Sequence, residues 1–341
     1  MHCGVIYMNN PNITIKDVAK AASVSVATVS RVLNNKNNVS EEAIHAVNRA
    51  VEELGYSPNF ISRDLRKSVT GRILALVCDS EPKTHIELLR GMQAAAAAAN
   101  YNLLVSCTGG DPEQESRLLA MAAAHVVDCT VLISPRLCGK PLVEFSRRCR
   151  LALCPERADV ANVLNVTIDN ERAAFDAVSY LIGKGRRRIA MITAKDRSRT
   201  VIDREDGYRR ALETAGIPYD SELVVSSELD EDSGGLEFES LMNRPRRPNA
   251  LFAVSDEVAF GAMKYAASHG ITVGRDLLVF GFDNIPARNA LIPRLSTVEQ
   301  PWGLLGRTVI EKIIANLNAE TFDRNTYILP HSLILRESTG D

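Results

Sequence analysis

What the chain has little of narrows it first. Of 341 residues one is tryptophan and 5% are aromatic, and the seven cysteines form no Cys-x-x-Cys pair. An odd, scattered set of that kind excludes a disulfide-stapled secreted domain, and Cys78, Cys107 and Cys129, set inside apolar strand-like runs, read as inert buried thiols. No apolar stretch is long enough to span a bilayer: the richest, AMAAAHVVDCTVLIS, is broken by His125 and Asp128. The opening MHCGVIYMNNPN lacks a basic segment followed by an apolar block, so no secretory signal is read, and a cytoplasmic protein without a membrane partner is expected. Six histidines are scattered without metal-ligand spacing, and Gly183-Lys184-Gly185 reads as a helix-to-strand turn. Neither a metal, a cofactor nor an enzymatic activity is expected.

What is present is a globular chain, 45% apolar and long enough for two or three folded units. Net charge is −2, but residues 1–72 carry nine Lys/Arg against six Asp/Glu. That asymmetry permits contact with a polyanion without requiring it. In TIKDVAKAA, Thr14 caps a helix with Asp17 three places on, and Val18, Ala19 and Ala22 share one face. A second helix begins after Ser25 in VSVATVSRVLN, with Val29, Val32 and Leu33 on its inner side. Ser40 caps a third, whose Ile44, Val47, Val51 and Leu54 keep helical spacing up to Gly55. Three short helices with a tight turn between the first two describe a helix-turn-helix. Such a unit could be an inert cap, but Val26, Ala27, Ser30, Arg31 and Asn34 on the outer face of its second helix are small, polar or basic. Small residues admit a helix to a major groove roughly 12 Å wide, where an arginine can grip a guanine edge with two hydrogen bonds.

The segment ITIKDVAKAASVSVATVSRVLNNKNNVSEEAIHAVNRAVEELGYSPN resembles, nearly residue for residue, the DNA-binding headpiece of the LacI/GalR family of bacterial repressors. Its D-V-A, V-S-x-x-T-V-S-R-V-x-N and L-G-Y-x-P-N elements recur in the family's order. The resemblance implies that Val26, Ala27 and Arg31 read bases while Ser25, Thr28, Ser30 and Asn34 hold the backbone. It also implies that NFISRDLRKSVTGR is a hinge helix that forms in the minor groove, with Leu65 as the wedge between base steps and Arg63 and Asn59 as further contacts. Ser62, where many relatives have alanine, and Asp64, a negative charge near phosphate, depart from that pattern and imply weaker hinge affinity. Without the resemblance, this segment is simply a charged linker.

From Ile73 onward, apolar strand-like runs (ILALVCD, NLLVSCT, CTVLISP, LALCP, VLNVTID, then RRIAMITA, ELVVSS, ALFAVSD, DLLVFGFD) alternate with helical stretches. Continuous apolar strands separated by helices imply parallel sheets covered on both faces, and two such series imply two doubly wound lobes. The region is similar to the periplasmic-binding-protein type I core of the same family. The expected organisation is a flexible arm over 1–12, the helix-turn-helix over 13–58, the hinge over 59–71 and an effector-binding and dimerisation domain over 72–341. Within the last, the chain is expected to cross between lobes near Asp169, Thr297–Gln300 and Asn325. The N-lobe is then about 72–168 and 297–325, and the C-lobe about 169–296 and 326–341. The alanine run QAAAAAAN reads as a closely packed helix near a dimer interface.

Ligands in this architecture sit at the carboxyl ends of the strands. Arg204 and Asp283 match family positions that bind ligand hydroxyls, and a guanidinium facing a carboxylate suits a polyol or ribose; the bland alternative is an interlobe salt bridge with no ligand. Thr200 and Ser255 match ligand-facing positions, and Asp256 is expected to cap the following helix. Thr84, His85 and Leu229 stand where purine-responding members place aromatic rings, which argues against base stacking. Glu156 resembles its counterpart in a cytidine-responding member, and Trp302 covers the pocket or serves a core or interface. The leading expectation is a homodimeric repressor of a pseudo-palindromic double-stranded operator, controlled by a sugar or nucleoside. The alternative from another class is a transport-type small-molecule binding protein built from the same lobes.

Overall fold

A computed structural model describes residues 13–33, 39–56, 69–78, 82–285, 293–317 and 325–341, the side chains of 82–84 excepted. The chain divides into Met1–Val69 and Thr70–Asp341. In the first unit three helices, α1 (Ile15–Ala21), α2 (Val26–Leu33) and α3 (Glu41–Leu54), enclose one small core. Each start is fixed locally. The Thr14 backbone N–H donates to Asp17 Oδ2 at 2.8 Å, Thr28 N donates to Ser25 Oγ at 3.0 Å, and Ala43 N donates to Ser40 Oγ. Ser23, at φ 54°, turns the chain between α1 and α2. Val18, Val29 and Val47, one from each helix, are fully buried, at about 1.5–3 kcal/mol each.

The second unit is built on two six-stranded sheets. The first sheet comprises β1 (Arg72–Val77), β2 (Asn102–Cys107), β3 (Cys129–Ile133), β4 (Leu151–Leu153), β5 (Val163–Ile168) and β11 (Thr326–Leu329), in the order β11-β5-β4-β3-β1-β2, all parallel. The second comprises β6 (Ile189–Ala194), β7 (Val224–Ser227), β8 (Ala250–Ala253), β9 (Leu278–Asp283), β10 (Ser296–Glu299) and β12 (Ser332–Ile334), in the order β12-β10-β9-β8-β6-β7, with only β12 antiparallel. Helices α4 (Pro82–Ala98) and α11 (Trp302–Leu317) cover one face of the first sheet, and α5 (Pro112–Ala123) and α6 (Lys140–Arg148) the other. Helices α7 (Asn170–Gly183) and α8 (Arg199–Thr214) cover one face of the second, and α9 (Glu231–Met242) and α10 (Asp256–Ser268) the other.

Two lobe boundaries differ from those expected. Ser296–Glu299 belongs to the second sheet, where Thr297 pairs with Gly281, so the second crossing follows Glu299, inside the expected Thr297–Gln300, and only the lobe bound placed at 297 moves past the strand. Thr326–Leu329 belongs to the first sheet, in register with Asn165–Ile168, so the third crossing follows Leu329 and not Asn325. Which sheet edge a four-residue strand joins is decided by its partner, and neither strand's own pattern names that partner. Cys107, expected to be buried, is exposed because β2 is an edge strand; Cys78 and Cys129 are buried. No described helix is long and apolar enough to cross a membrane.

The paired helices lie close because glycine removes the side chain at the contact. A methyl group at Gly91 of α4 would run into the Gly303 carbonyl of α11, and one at Gly207 of α8 into the Glu171 carbonyl of α7. The substitution Gly207→Ala is therefore expected to cost about 1–3 kcal/mol by overpacking. Urea unfolding is the measurement, and an unchanged midpoint would show that the helix pair has slack.

Candidate nucleic-acid interface and interlobe cleft

In the helix-turn-helix unit, α2 buries Val29 and Val32 and half-buries Leu33. Its remaining face is open. Val26 is 41% exposed, and Ser25, Ala27 and Arg31 are exposed, while Thr28 and Ser30 are half-buried. The Ser25 and Thr28 hydroxyls lie 2.9 Å apart, which ties both side chains to the helix start. The face thus carries one guanidinium, two hydroxyls at the first turn and two small apolar groups, with no carboxylate. Asn34 lies outside the described residues, as do the expected hinge residues Asn59, Arg63 and Leu65, together with Ser62 and Asp64.

The cleft lies at the carboxyl ends of the strands of both sheets, as parallel α/β topology requires. The loop after β4 supplies Glu156; α8 supplies Thr200 and Arg204; β9 ends in Asp283; Gln300 and Trp302 begin the return to the first lobe. His85 and Leu229 line the same space, and so does Ser255. The Thr84 side chain lies outside the described residues.

Arg204 is 8% exposed and held on several sides. Its Nε donates to Asn170 Oδ1 at 3.0 Å, its Nη1 to the Val254 carbonyl at 2.7 Å, and the guanidinium lies 3.6 Å from the centre of the Phe282 ring. Its Nη2 is 4.0 Å from Asp283 Oδ1, too far for a tight ion pair. Asp283 instead accepts from Gln300 Nε2 at 2.7 Å, and its backbone carbonyl accepts from Trp302 Nε1 at 2.9 Å. Asp283 holds a φ of 112°, a strained conformation for a residue with a Cβ, at the cleft end of its strand. Burial pushes its carboxyl up to about 6, against the pull of the nearby Arg204 charge. Glu156 is likewise raised by burial, and the Thr200 hydroxyl donates to it.

Asp256 departs from expectation. Ser255, not Asp256, caps α10, its Oγ accepting from Val258 N. The Asp256 carboxylate turns inward instead, where Oδ1 accepts from Thr297 Oγ1 at 2.6 Å and Oδ2 from Ile285 N at 2.8 Å. Its burial, with Asp283 nearby, pushes its carboxyl up to about 8.

Both halves of the molecule have counterparts among known proteins. Residues 14–59 match the model of bacterial regulatory proteins of the lacI family, and residues 178–339 match the periplasmic binding protein-like domain. Catabolite control protein A of Priestia megaterium is 32% identical over 330 residues, which span 96% of this chain and 99% of that protein. The chain belongs to the LacI family of bacterial regulators. The HTH-type transcriptional repressor CytR of Escherichia coli (strain K12) is 31% identical over 327 residues, 96% of each chain. The solved complex of the transcriptional regulator CelR with cellobiose is 29% identical, with a TM-score of 0.73 over 96% of this chain and 100% of that one. As a LacI-family member the protein is a DNA-binding transcriptional regulator and not an enzyme, and the transport-type reading is set aside.

Sequence reading missed several groups in this regulator's cleft. Gln300 and Asn170 anchor the Asp283 and Arg204 side chains, and neither stands out from its short polar motif. Two ion pairs bridge the lobes beside the cleft: Arg136 to Asp196 at 2.6 Å, and Arg157 to Asp203 at 3.0 Å. Arg136 is positioned by a buried carboxylate, since Glu115 accepts from the backbone N–H groups of Arg136 and Leu137. Partners some fifty residues apart have no local signature.

The raised Asp256 predicts a pH dependence of stability. A carboxyl at about 8 in the folded chain and at the ordinary 3.8 in the unfolded one binds more protons folded than unfolded across that window. Its contribution to stability is therefore greatest below pH 4 and declines as pH rises toward 8, by at most about 1.4 kcal/mol per pH unit for one proton. The stability difference between the native chain and Asp256→Asn, measured by denaturant titration from pH 5 to 8, should move against the native chain as pH increases. A difference independent of pH would show that Asp256 is ionised throughout.

Proposed function

We propose that this LacI-family regulator is a homodimeric repressor of a pseudo-palindromic operator, acting in the cytoplasm, and that its interlobe cleft takes a small polyhydroxylated effector, a sugar or a nucleoside. In this reading Val26, Ala27 and Arg31 read base edges, and Ser25, Thr28 and Ser30 hold phosphates, with Asn34 and the hinge residues Asn59, Arg63 and Leu65 adding backbone and minor-groove contacts. The observation that carries the effector is the buried, imperfectly closed pair of Arg204 and Asp283, beside a Gln300 Oε1 that is buried without a hydrogen-bond partner among the described residues. A hydroxyl group both donates and accepts, so one polyol can accept from Arg204 while donating to Asp283 and to Gln300. Thr200, Ser255, Glu156, His85 and Thr84 supply further polar partners, and Leu229 and Trp302 the apolar wall. The cellobiose held by CelR supports a sugar as the chemical class.

Effector binding acts by favouring one arrangement of the two lobes, and DNA affinity changes with it. The exposed apolar side chains of Ile86 and of Leu104 and Val105 on edge strand β2 support a second copy against that side of the first lobe.

Two experiments test the reading. In a thermal-shift screen of pentoses, hexoses and nucleosides, a specific hit at about 100 Kd stabilises by about 2.7 kcal/mol and is lost in Arg204→Ala; a hit that survives in Arg204→Ala moves the site elsewhere. On a palindromic duplex selected from a random pool, Arg31→Ala is expected to weaken binding by about 1–3 kcal/mol, roughly 5- to 150-fold, in gel shift. Equal, weak binding of all duplexes by the native chain would overturn the base-reading assignment.

A further inference from the structure

A second cavity, of about 340 Å³, opens at the opposite end of the first sheet from the cleft. Its walls include Asp128 and Cys129 at the start of β3, Arg150 just before β4 and Asn162 just before β5, whereas the cleft is lined by Arg136 and Glu156, which follow the same strands. The length of β3, roughly 17 Å for its five residues, separates the two.

The rim of this cavity is cationic. Arg147 and Arg148 come from the last turn of α6, Arg150 follows two residues later, and His125, two residues past α5, lines the same space. Among the described residues no carboxylate pairs with any of the three arginines, and Arg148 lies 5.9 Å from the centre of the Phe145 ring on its own helix. The one carboxylate in the wall, Asp128, is engaged on both oxygens: Oδ1 accepts from Thr70 N at 2.7 Å, and Oδ2 from Gly71 N at 2.7 Å and Arg72 N at 3.3 Å. Burial pushes the Cys149 thiol in the wall up to about 11, so it remains neutral. Just beyond Cys129, the fully buried Thr130 hydroxyl has no hydrogen-bond partner among the described residues.

We propose that this cavity is a second ligand site, which takes a small phosphate-bearing metabolite clamped by Arg147, Arg148 and Arg150. Three guanidinium forks supply more donors than the two oxygens of a carboxylate can use, whereas the three terminal oxygens of a phosphate monoester dianion match them. The site is concave and of small-molecule size, which favours a free metabolite over the convex backbone of a duplex. Asn162 adds a neutral amide for the non-phosphate part. A ligand here meets the wall of the same carboxylate that fixes residues 70–72, the first residues after the linker from the DNA-binding unit. The proposal stands independently of what the interlobe cleft binds.

The test is calorimetric titration of the full-length protein with inorganic phosphate at low ionic strength. It is run beside the double variant Arg147→Ala/Arg150→Ala and the cleft variant Arg204→Ala, with thermal melts to confirm that each is folded. Saturable binding of one phosphate per chain is expected, weakened at least about tenfold in the double variant and unchanged within about twofold in Arg204→Ala. No saturable binding up to about 10 mM overturns the proposal, as does a loss confined to Arg204→Ala, which would put the phosphate in the cleft. So does an undiminished phosphate affinity in the double variant accompanied by a weaker, less salt-dependent affinity for DNA, which would make these arginines backbone contacts.

Discussion

The Asp256 carboxylate is the point on which the geometry of the cleft depends. It is fully enclosed, and it holds two separate pieces of chain: the Thr297 hydroxyl from β10 and the Ile285 amide from the segment after β9. Those two pieces carry Asp283 and Gln300, which line the cleft. Asp283 ends β9, directly opposite Glu299 of β10, and one residue further on Gln300 reaches back to it. A buried carboxylate that accepts from both segments removes the freedom of either to slide, at the cost of keeping an acidic group away from water. The raised proton affinity of Asp256 is the signature of that cost.

The lobes themselves are separately complete. Each sheet has helices on both faces and its own apolar cores, so what joins the lobes is three strand-to-helix or strand-to-strand crossings and a small number of polar contacts. Of these, Arg136 with Asp196 joins partly exposed groups, where screening limits the pair to the order of 1 kcal/mol or less, while Arg157 holds the buried Asp203 through two hydrogen bonds. Breaking the first of these would leave either lobe's core untouched. The two lobes thus have separate apolar interiors, and the seam between them rests on a few polar contacts.

The fold was largely legible in the sequence because its determinants are local or periodic. Capping at Thr14, Ser25 and Ser40 marked the first three helices, and the continuous apolar runs marked nine of the twelve strands among the described residues. The three that escaped, β10, β11 and β12, are four residues or fewer and owe their place to neighbours in the sheet. The same division holds in the cleft. Arg204 and Asp283 were found through their resemblance to family positions, but Gln300, Asn170 and Arg136 were not, because their roles consist of partners distant along the chain. Ser255 and Asp256 show the limit most clearly: adjacent polar residues at a helix start are both plausible caps, and only the enclosure of Asp256 by β9 and β10 assigns the cap to its neighbour.

Trp302 is the one tryptophan of the chain, and its indole N–H donates to the backbone carbonyl of Asp283. The whole of the protein's indole fluorescence therefore originates at the seam between the lobes. Emission wavelength and quenching become a direct optical readout of that seam, free of background from the DNA-binding unit and requiring no label.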